Sequence, residues 1–329
     1  MRRFKDILCV VEAEGVCEPA LGRAVTLAEN NQASLTVVDV VPHLTAGVGM
    51  LKSGPISVDL QAEMVNSHKQ RLEAIVVPYA KRTKIETKVL VGTPFLQIIR
   101  EVLCNRRDLV IKVPEHQDWL DRLFGSDDMH VLRKCPCPVW LIKPHATISY
   151  KRILAAVDVD DCYPPQELNT RHRLNVQILE MAVSLALSES AELHVVHAWE
   201  PITELFNGLA FSSDISREGF VSNVEQERRQ QQQLLDESIR HIKIKSNAAR
   251  DTLDYLKPLT HLLKGSARQG IPALAKRLQV DCIVMGTVVR TGISGFIMGN
   301  TAETILSQVD CSVLAIKPQG FVTPVTLGA

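Results

Sequence analysis

Ile153-Leu154-Ala155-Ala156-Val157-Asp158, an apolar run closed by a carboxylate, restates Ile7-Leu8-Cys9-Val10-Val11-Glu12 near the start of the chain. The correspondence continues outward in order. Ala182-Val183-Ser184-Leu185-Ala186 answers Ala24-Val25-Thr26-Leu27-Ala28, and Leu193-His194-Val195-Val196 answers Leu35-Thr36-Val37-Val38. Gly299-Asn300, followed by Cys311-Ser312-Val313-Leu314-Ala315-Ile316-Lys317-Pro318, answers Gly125-Ser126 followed by Cys137-Pro138-Val139-Trp140-Leu141-Ile142-Lys143-Pro144. Solenoid units repeat every ~20–50 residues, so a period this long means two copies of a domain. A length of 329 residues fits two domains of roughly 150 each. The expected division is 1–145, 150–320 and a tail 321–329, with a joint at Pro144–Tyr150 short enough that the halves should pack together.

Within each half, short β-branched runs alternate with helical stretches, the signature of βαβ units and a parallel sheet. The expected strands are Asp6–Glu12, Ser34–Val41, Ile85–Val91, Asp108–Lys112 and Cys137–Ile142, then Arg152–Asp158, Glu192–Trp199, Leu259–Lys264, Asp281–Gly286 and Cys311–Ile316. Their near-continuous apolarity predicts helices on both faces of each sheet. Ile178, Met181, Ala182 and Leu185 have the spacing of one buried helical face. A long segment follows the second strand of each half. In the later one, Gln230-Gln231-Gln232-Gln233 reads as the solvated face of a helix whose inner side carries Leu234, Leu235 and Ile239.

Thirty-seven basic and 37 acidic residues cancel. That excludes the basic excess of a dedicated nucleic-acid surface. The N-terminal apolar run stops at Glu12, short of the ~7–15 residues of a signal-peptide core. No run approaches the ~18 apolar residues of a membrane helix. Eight cysteines without a framework spacing point to a reducing cytoplasm.

Ligands of parallel α/β sheets sit outside the carboxyl ends of the strands, where helix N-termini present backbone N–H groups. There the second half carries Met285-Gly286-Thr287, a loop Val288-Val289-Arg290-Thr291-Gly292-Ile293-Ser294-Gly295-Phe296-Ile297-Met298, and Gly299-Asn300-Thr301-Ala302-Glu303 opening a helix. Asn300 or Thr301 suits an N-cap, with Glu303 completing a capping box. Glycines at 286 and 299 would let a phosphate approach the main chain, and Arg290 adds charge. The competing reading is that these glycines only shape turns.

Gly286-x2-Val289-x9-Gly299-Asn300 resembles the nucleotide loop of the universal stress proteins, whose ATP-binding members carry Gly-x2-Gly-x9-Gly-(Ser/Thr). The resemblance spans both halves. Residues 286–303 and the Thr323-Pro324-Val325 tail are similar to the tandem E-type members in particular. It implies two doubly wound five-stranded parallel sheets with strand order 3-2-1-4-5. Cytoplasmic, it would bind ATP or a related nucleotide, with Mg, and act through ligand occupancy and partner contacts in stress resistance, adhesion and motility. The same resemblance implies pairing of the two halves through the edge strands Cys137–Ile142 and Cys311–Ile316, and leaves a homodimer open. Carried over by residue, Asp158 matches the acidic residue that meets the adenine-ribose end, and Val157 and Val196 the apolar neighbours of the base; Ala156 and Met285 belong to the same expected nucleotide site. Gly286, Gly299, Asn300 and Thr301 meet phosphate, next to Val289 and Arg290. Two departures bear on this: Val289 stands where the ATP binders have glycine, and Asn300 replaces the hydroxyl residue. The first half departs further. Its loop from Lys112 has no matching glycine, Glu12 replaces Asp158, and Asp127 and Asp128 follow Gly125-Ser126, where they would repel phosphate. That half is not expected to bind nucleotide.

Cys135-Pro136-Cys137 with His130 and His116 suggests zinc, but C-x-C is unlike a C-x2-C knuckle, so packed thiols are expected. His194 and His197 should point to opposite strand faces, and His241 into solvent. Neither a G-x-S-x-G elbow nor a Gly-x4-Gly-Lys loop occurs. A slow ATPase is the most the resemblance implies in catalysis. The rival readings are an adenylyl-transfer enzyme, disfavoured by the acidic run Asp158-Val159-Asp160-Asp161, and an apolar or acyl-bearing ligand near Met285, Phe296 and Met298.

Overall fold

The computed structural model describes residues 4–12, 15, 17–44, 55–114, 126–144, 146–147, 149–201, 217–245, 253–287 and 298–327. These fall into two compact units, one formed by the described residues up to Thr147 with the tail from Val322, the other by those from Ser149 to Phe321.

The first unit runs β1 (Asp6–Val10), α1 (Glu18–Asn31), β2 (Ser34–Val41), α2 (Pro55–Val76), β3 (Ile85–Val91), α3 (Pro94–Asn105), β4 (Leu109–Lys112), α4 (Asp127–Lys134) and β5 (Val139–Leu141). The second runs β6 (Arg152–Ala156), α5 (Pro165–Glu189), β7 (Glu192–Trp199), α6 (Arg217–Lys245), β8 (Leu259–Lys264), α7 (Ala267–Leu278), β9 (Cys282–Gly286), α8 (Asn300–Leu306) and β10 (Ser312–Ile316). Every pairing within each unit is parallel, in the orders β3-β2-β1-β4-β5 and β8-β7-β6-β9-β10. This is the 3-2-1-4-5 order of two doubly wound domains. The registers match as well: Ile7 lies opposite Leu35 and Leu109, and Ile153 opposite Leu193 and Cys282.

Ile7, Leu8 and Cys9 in one central strand, and Ile153, Leu154 and Ala155 in the other, are fully buried. Helices on both faces exclude water from them, so these runs do not alternate. The left-handed residues Gln32 and Ser190 end α1 and α5, each donating its N–H back into the last turn.

The expected strand Arg152–Asp158 stops at Ala156 because side chains replace the ladder. Asp158 N–H donates to Asn175 Oδ1 (3.1 Å), while Val157 O lies 3.3 Å from His197 Nδ1. The glutamine run also differs from expectation. Gln231 is buried, its Oε1 3.2 Å from His197 Nε2, because its position on α6 faces the sheet. The segment is therefore polar without being wholly solvated. No helix among the described residues is long and apolar enough to cross a membrane.

Candidate functional site

The two copies differ most at α5. Setting Ala24 against Ala182, α1 starts six residues earlier at Glu18, while α5 starts seventeen earlier at Pro165. Those added turns carry Arg171, Leu174 and Asn175 over the carboxyl end of β6. Arg171 and Asn175 share a helical face with Leu174 and Ile178 and are almost fully buried.

Arg171 binds the Asp158 carboxylate through Nη1 and Glu167 through Nη2 (2.7 Å), and its guanidinium lies 3.4 Å over the Tyr163 ring. Tyr163 donates its hydroxyl to Asp158 at 3.4 Å. Burial first, and the Asp158 charge after it, push that phenol up to about 12. Asn175 accepts from Asp158 N–H and donates to Asp158 O at 2.6 Å, fixing the backbone at the turn. Around this cluster lies a cavity of about 320 Å³, lined by Asp158–Asp161, by Leu168, Arg171, His172 and Asn175 of α5, and by Leu234, Glu237, Ser238 and His241 of α6. His172 and His241 meet edge to face, with ring centroids 5.0 Å apart. Burial, then His241, holds the His172 imidazole below its ordinary value. His241 is exposed, as expected, yet it forms part of this wall.

The residues expected at a nucleotide form two groups. Ala156 pairs with Val196 and Met285, and Val157 N–H donates to Val196 O at 3.0 Å, so Asp158 closes one end of the sheet's carboxyl edge. Gly286 ends β9, and a Cβ there would stand 2.6 Å from Leu174 Cδ2. Its missing side chain makes room for α5. Gly299 donates its N–H to Thr287 O (3.1 Å) and is the N-cap of α8, the place expected for Asn300 or Thr301. That tie back to β9 sets the helix start one residue early, and no side chain caps it. Thr301 Oγ1 accepts from Arg268 at 3.5 Å. Lys317 is buried, donating from Nζ to Thr287 Oγ1 at 2.6 Å. Val289 and Arg290 lie outside the described residues, as do His116, Gly125 and Phe296.

At the equivalent place in the first unit, Lys112 stands opposite Val10 in the register that Met285 holds opposite Ala156. Its ammonium binds the Asp128 carboxylate at the start of α4, with side-chain exposures of 4% and 3%. Ser126 caps α4, accepting from Met129 N–H at 3.3 Å. A carboxylate of the chain itself thus occupies the favourable end of this helix, balanced by a lysine. Nearby, Cys135 and Cys137 are buried with sulfurs 3.6 Å apart, and His130 stacks on Phe95 at 4.5 Å.

The family model of the universal stress proteins matches residues 3–143 and 149–317. The chain is 31% identical to universal stress protein E of Salmonella typhi over a 339-residue alignment, covering 99% of this chain and 98% of that one. It is also 28% identical to the universal stress protein E homolog of Haemophilus influenzae, covering 96% and 98%. The chain belongs to the universal stress protein family. A putative universal stress protein from Pseudomonas aeruginosa has the same fold, with TM-score 0.64 at 24% identity over 96% of this chain and 94% of that one. One from Archaeoglobus fulgidus gives TM-score 0.57 at 15% identity.

As a universal stress protein the chain is a stress-response protein of two family domains. What the resemblance left out is the α5 extension. In sequence Arg171 and Asn175 read only as polar positions on the face that Leu174 and Ile178 continue, with no sign of their partner Asp158.

Proposed function

We propose that this universal stress protein acts by reversibly holding a small ligand in its second half, at the carboxyl end of β6. The supporting observation is the cavity of about 320 Å³ in front of Asp158, where polar and apolar side chains of α5 and α6 converge on one opening. Pockets of this size suit small molecules. The first half is proposed to be a structural partner without a nucleotide, a reading supported by the Lys112–Asp128 pair, which already sets a carboxylate of the chain at the start of α4.

A nucleotide is the second reading, favoured by the buried Lys317 ammonium at Thr287, where the Gly286–Gly299 turn begins. In that reading Asp158 and the Val157–Val196 edge meet the adenosine end, while Gly286, Gly299, Asn300 and Thr301 meet phosphate and its Mg. Such a ligand must compete with Arg171 for Asp158 and with Thr287 for the Gly299 amide.

Hydrogen exchange of the full chain, with and without ATP·Mg and with a panel of charged and neutral metabolites, tests both. A cavity ligand slows exchange across α5 and α6, whereas a nucleotide slows it from β9 into α8. No slowing in either region with any ligand class would refute ligand binding by the second half.

A further inference from the structure

The cavity's charge selects among ligand classes, given the proposal that the second half is the ligand-binding half. Its walls carry four carboxylates, Asp158, Asp160, Asp161 and Glu237, against one cation, Arg171. That cation is already held between Asp158 and Glu167 and does not offset the others. Two of the remaining acids are held in place. Asp160 Oδ1 accepts from Cys162 N–H at 3.0 Å, and Asp161 Oδ2 accepts from Gln230 at 3.3 Å. Leu168 and Leu234 contribute aliphatic wall to the same cavity, and the imidazoles of His172 and His241 can accept hydrogen bonds when neutral.

We propose that this cavity binds an aliphatic amine of the polyamine class, its ammonium groups on Asp160, Asp161 and Glu237 and its methylenes against Leu168 and Leu234. A phosphorylated ligand would bring its charge among like charges, which repel at this range even in a high-dielectric setting. A hydrated divalent ion would use the carboxylates but leave the leucines without a role.

Calorimetric titration of the full chain with spermidine at pH 8 and low salt, paired with hydrogen exchange, tests the assignment. Spermidine should bind and slow exchange in α5 and α6, and raised salt should weaken it, since exposed charges are screened. The double variant Asp161→Asn/Glu237→Gln alters exposed side chains and should weaken spermidine about tenfold or more. Glu225→Gln, on α6 but outside the cavity, should bind as the parent does. Parental affinity in the double variant would overturn the proposal, as would displacement by equimolar Mg²⁺. Slowed exchange in α5 and α6 by an anionic or neutral metabolite but not by spermidine would overturn it while leaving ligand binding intact. No slowing by any ligand would overturn both.

Discussion

Replacing Lys112 by Met puts into the first half the residue that the second half carries at the same register position, Met285. The partner exchange, Asp128→Ala, does the same at α4, since Asp128 aligns with Ala302. Both charges are withdrawn from water, with side-chain exposures of 4% and 3%. Either single substitution strands a buried charge, which costs ~3–5 kcal/mol. Asp128→Ala loses up to ~1 kcal/mol more from the α4 dipole. The double variant strands nothing, and apolar replacement of a buried pair is often neutral, so it should lie within ~1–2 kcal/mol of the parent. The coupling between the two sites is then at least ~3 kcal/mol. Because two domains preclude a two-state melt, the readout is native-state hydrogen exchange on peptides spanning β4 and β5. There, ~3 kcal/mol appears as exchange more than a hundredfold faster. Single variants costing under ~1 kcal/mol, or a double variant costing the sum of the singles, would refute the claim that the pair is a closed, strongly coupled structural unit.

Gly286→Ala forces its new methyl against Leu174 Cδ2 and should cost the second half ~1–3 kcal/mol; Leu174→Ala in the same chain should restore part of it, and unchanged exchange in β9 would count against the packing reading. His194 Nδ1 lies 3.0 Å from His261 Nε2, and both imidazoles are held below the ordinary value, chiefly by burial, with His194 a second cause for His261. The unfolded chain therefore takes up protons that the folded pair refuses as pH drops below ~6.5. Stability of β7 and β8 should fall between pH 7.5 and 5.5, and His261→Gln should flatten that slope; a flat parent profile would sink it. Limited iodoacetamide treatment should label Cys104 ahead of Cys162, though both are exposed, because burial and then the Asp160 carboxylate push the Cys162 thiol up to about 11. Equal labelling, read by peptide mass spectrometry, would contradict this.

The duplicated architecture was legible because β1, β6 and their neighbours are buried on both faces, so their sequences are constrained at every position and repeat in register. The extent of α5 was not. The buried face from Ile178 to Leu185 announces a helix, but nothing in its period says that it continues back to Pro165 over the strand ends. Arg171 and Asn175 read as polar positions until the fold sets them against Asp158, since their partner is thirteen or more residues away and outside the helix. Gly286 is ambiguous in sequence for the opposite reason. A glycine at a strand end looks the same whether it leaves room for a phosphate or for a leucine, and the contact with Leu174, from another element, is not visible in the sequence. His261 escaped notice because its partner, His194, lies on a neighbouring strand.

The two halves solve one physical problem differently. A parallel sheet gathers helix N-termini and open strand ends at its carboxyl edge, and something must satisfy the charge preference there. The first half does so from within, with Asp128 at the start of α4 and Lys112 beneath it. The second carries Met285 and Ala302 at those positions and places its charges instead at the β6 end, where α5 sets Arg171 against Asp158. A pair buried like Lys112–Asp128 can open only by stranding two charges, so it is a fixed feature. Asp158, by contrast, keeps 42% of its side chain exposed at the cavity and sits at the hub of a network reaching Tyr163, Arg171 and, through its backbone, Asn175. Asp158 therefore remains open to water at the cavity, whereas Lys112 and Asp128 are closed off from it.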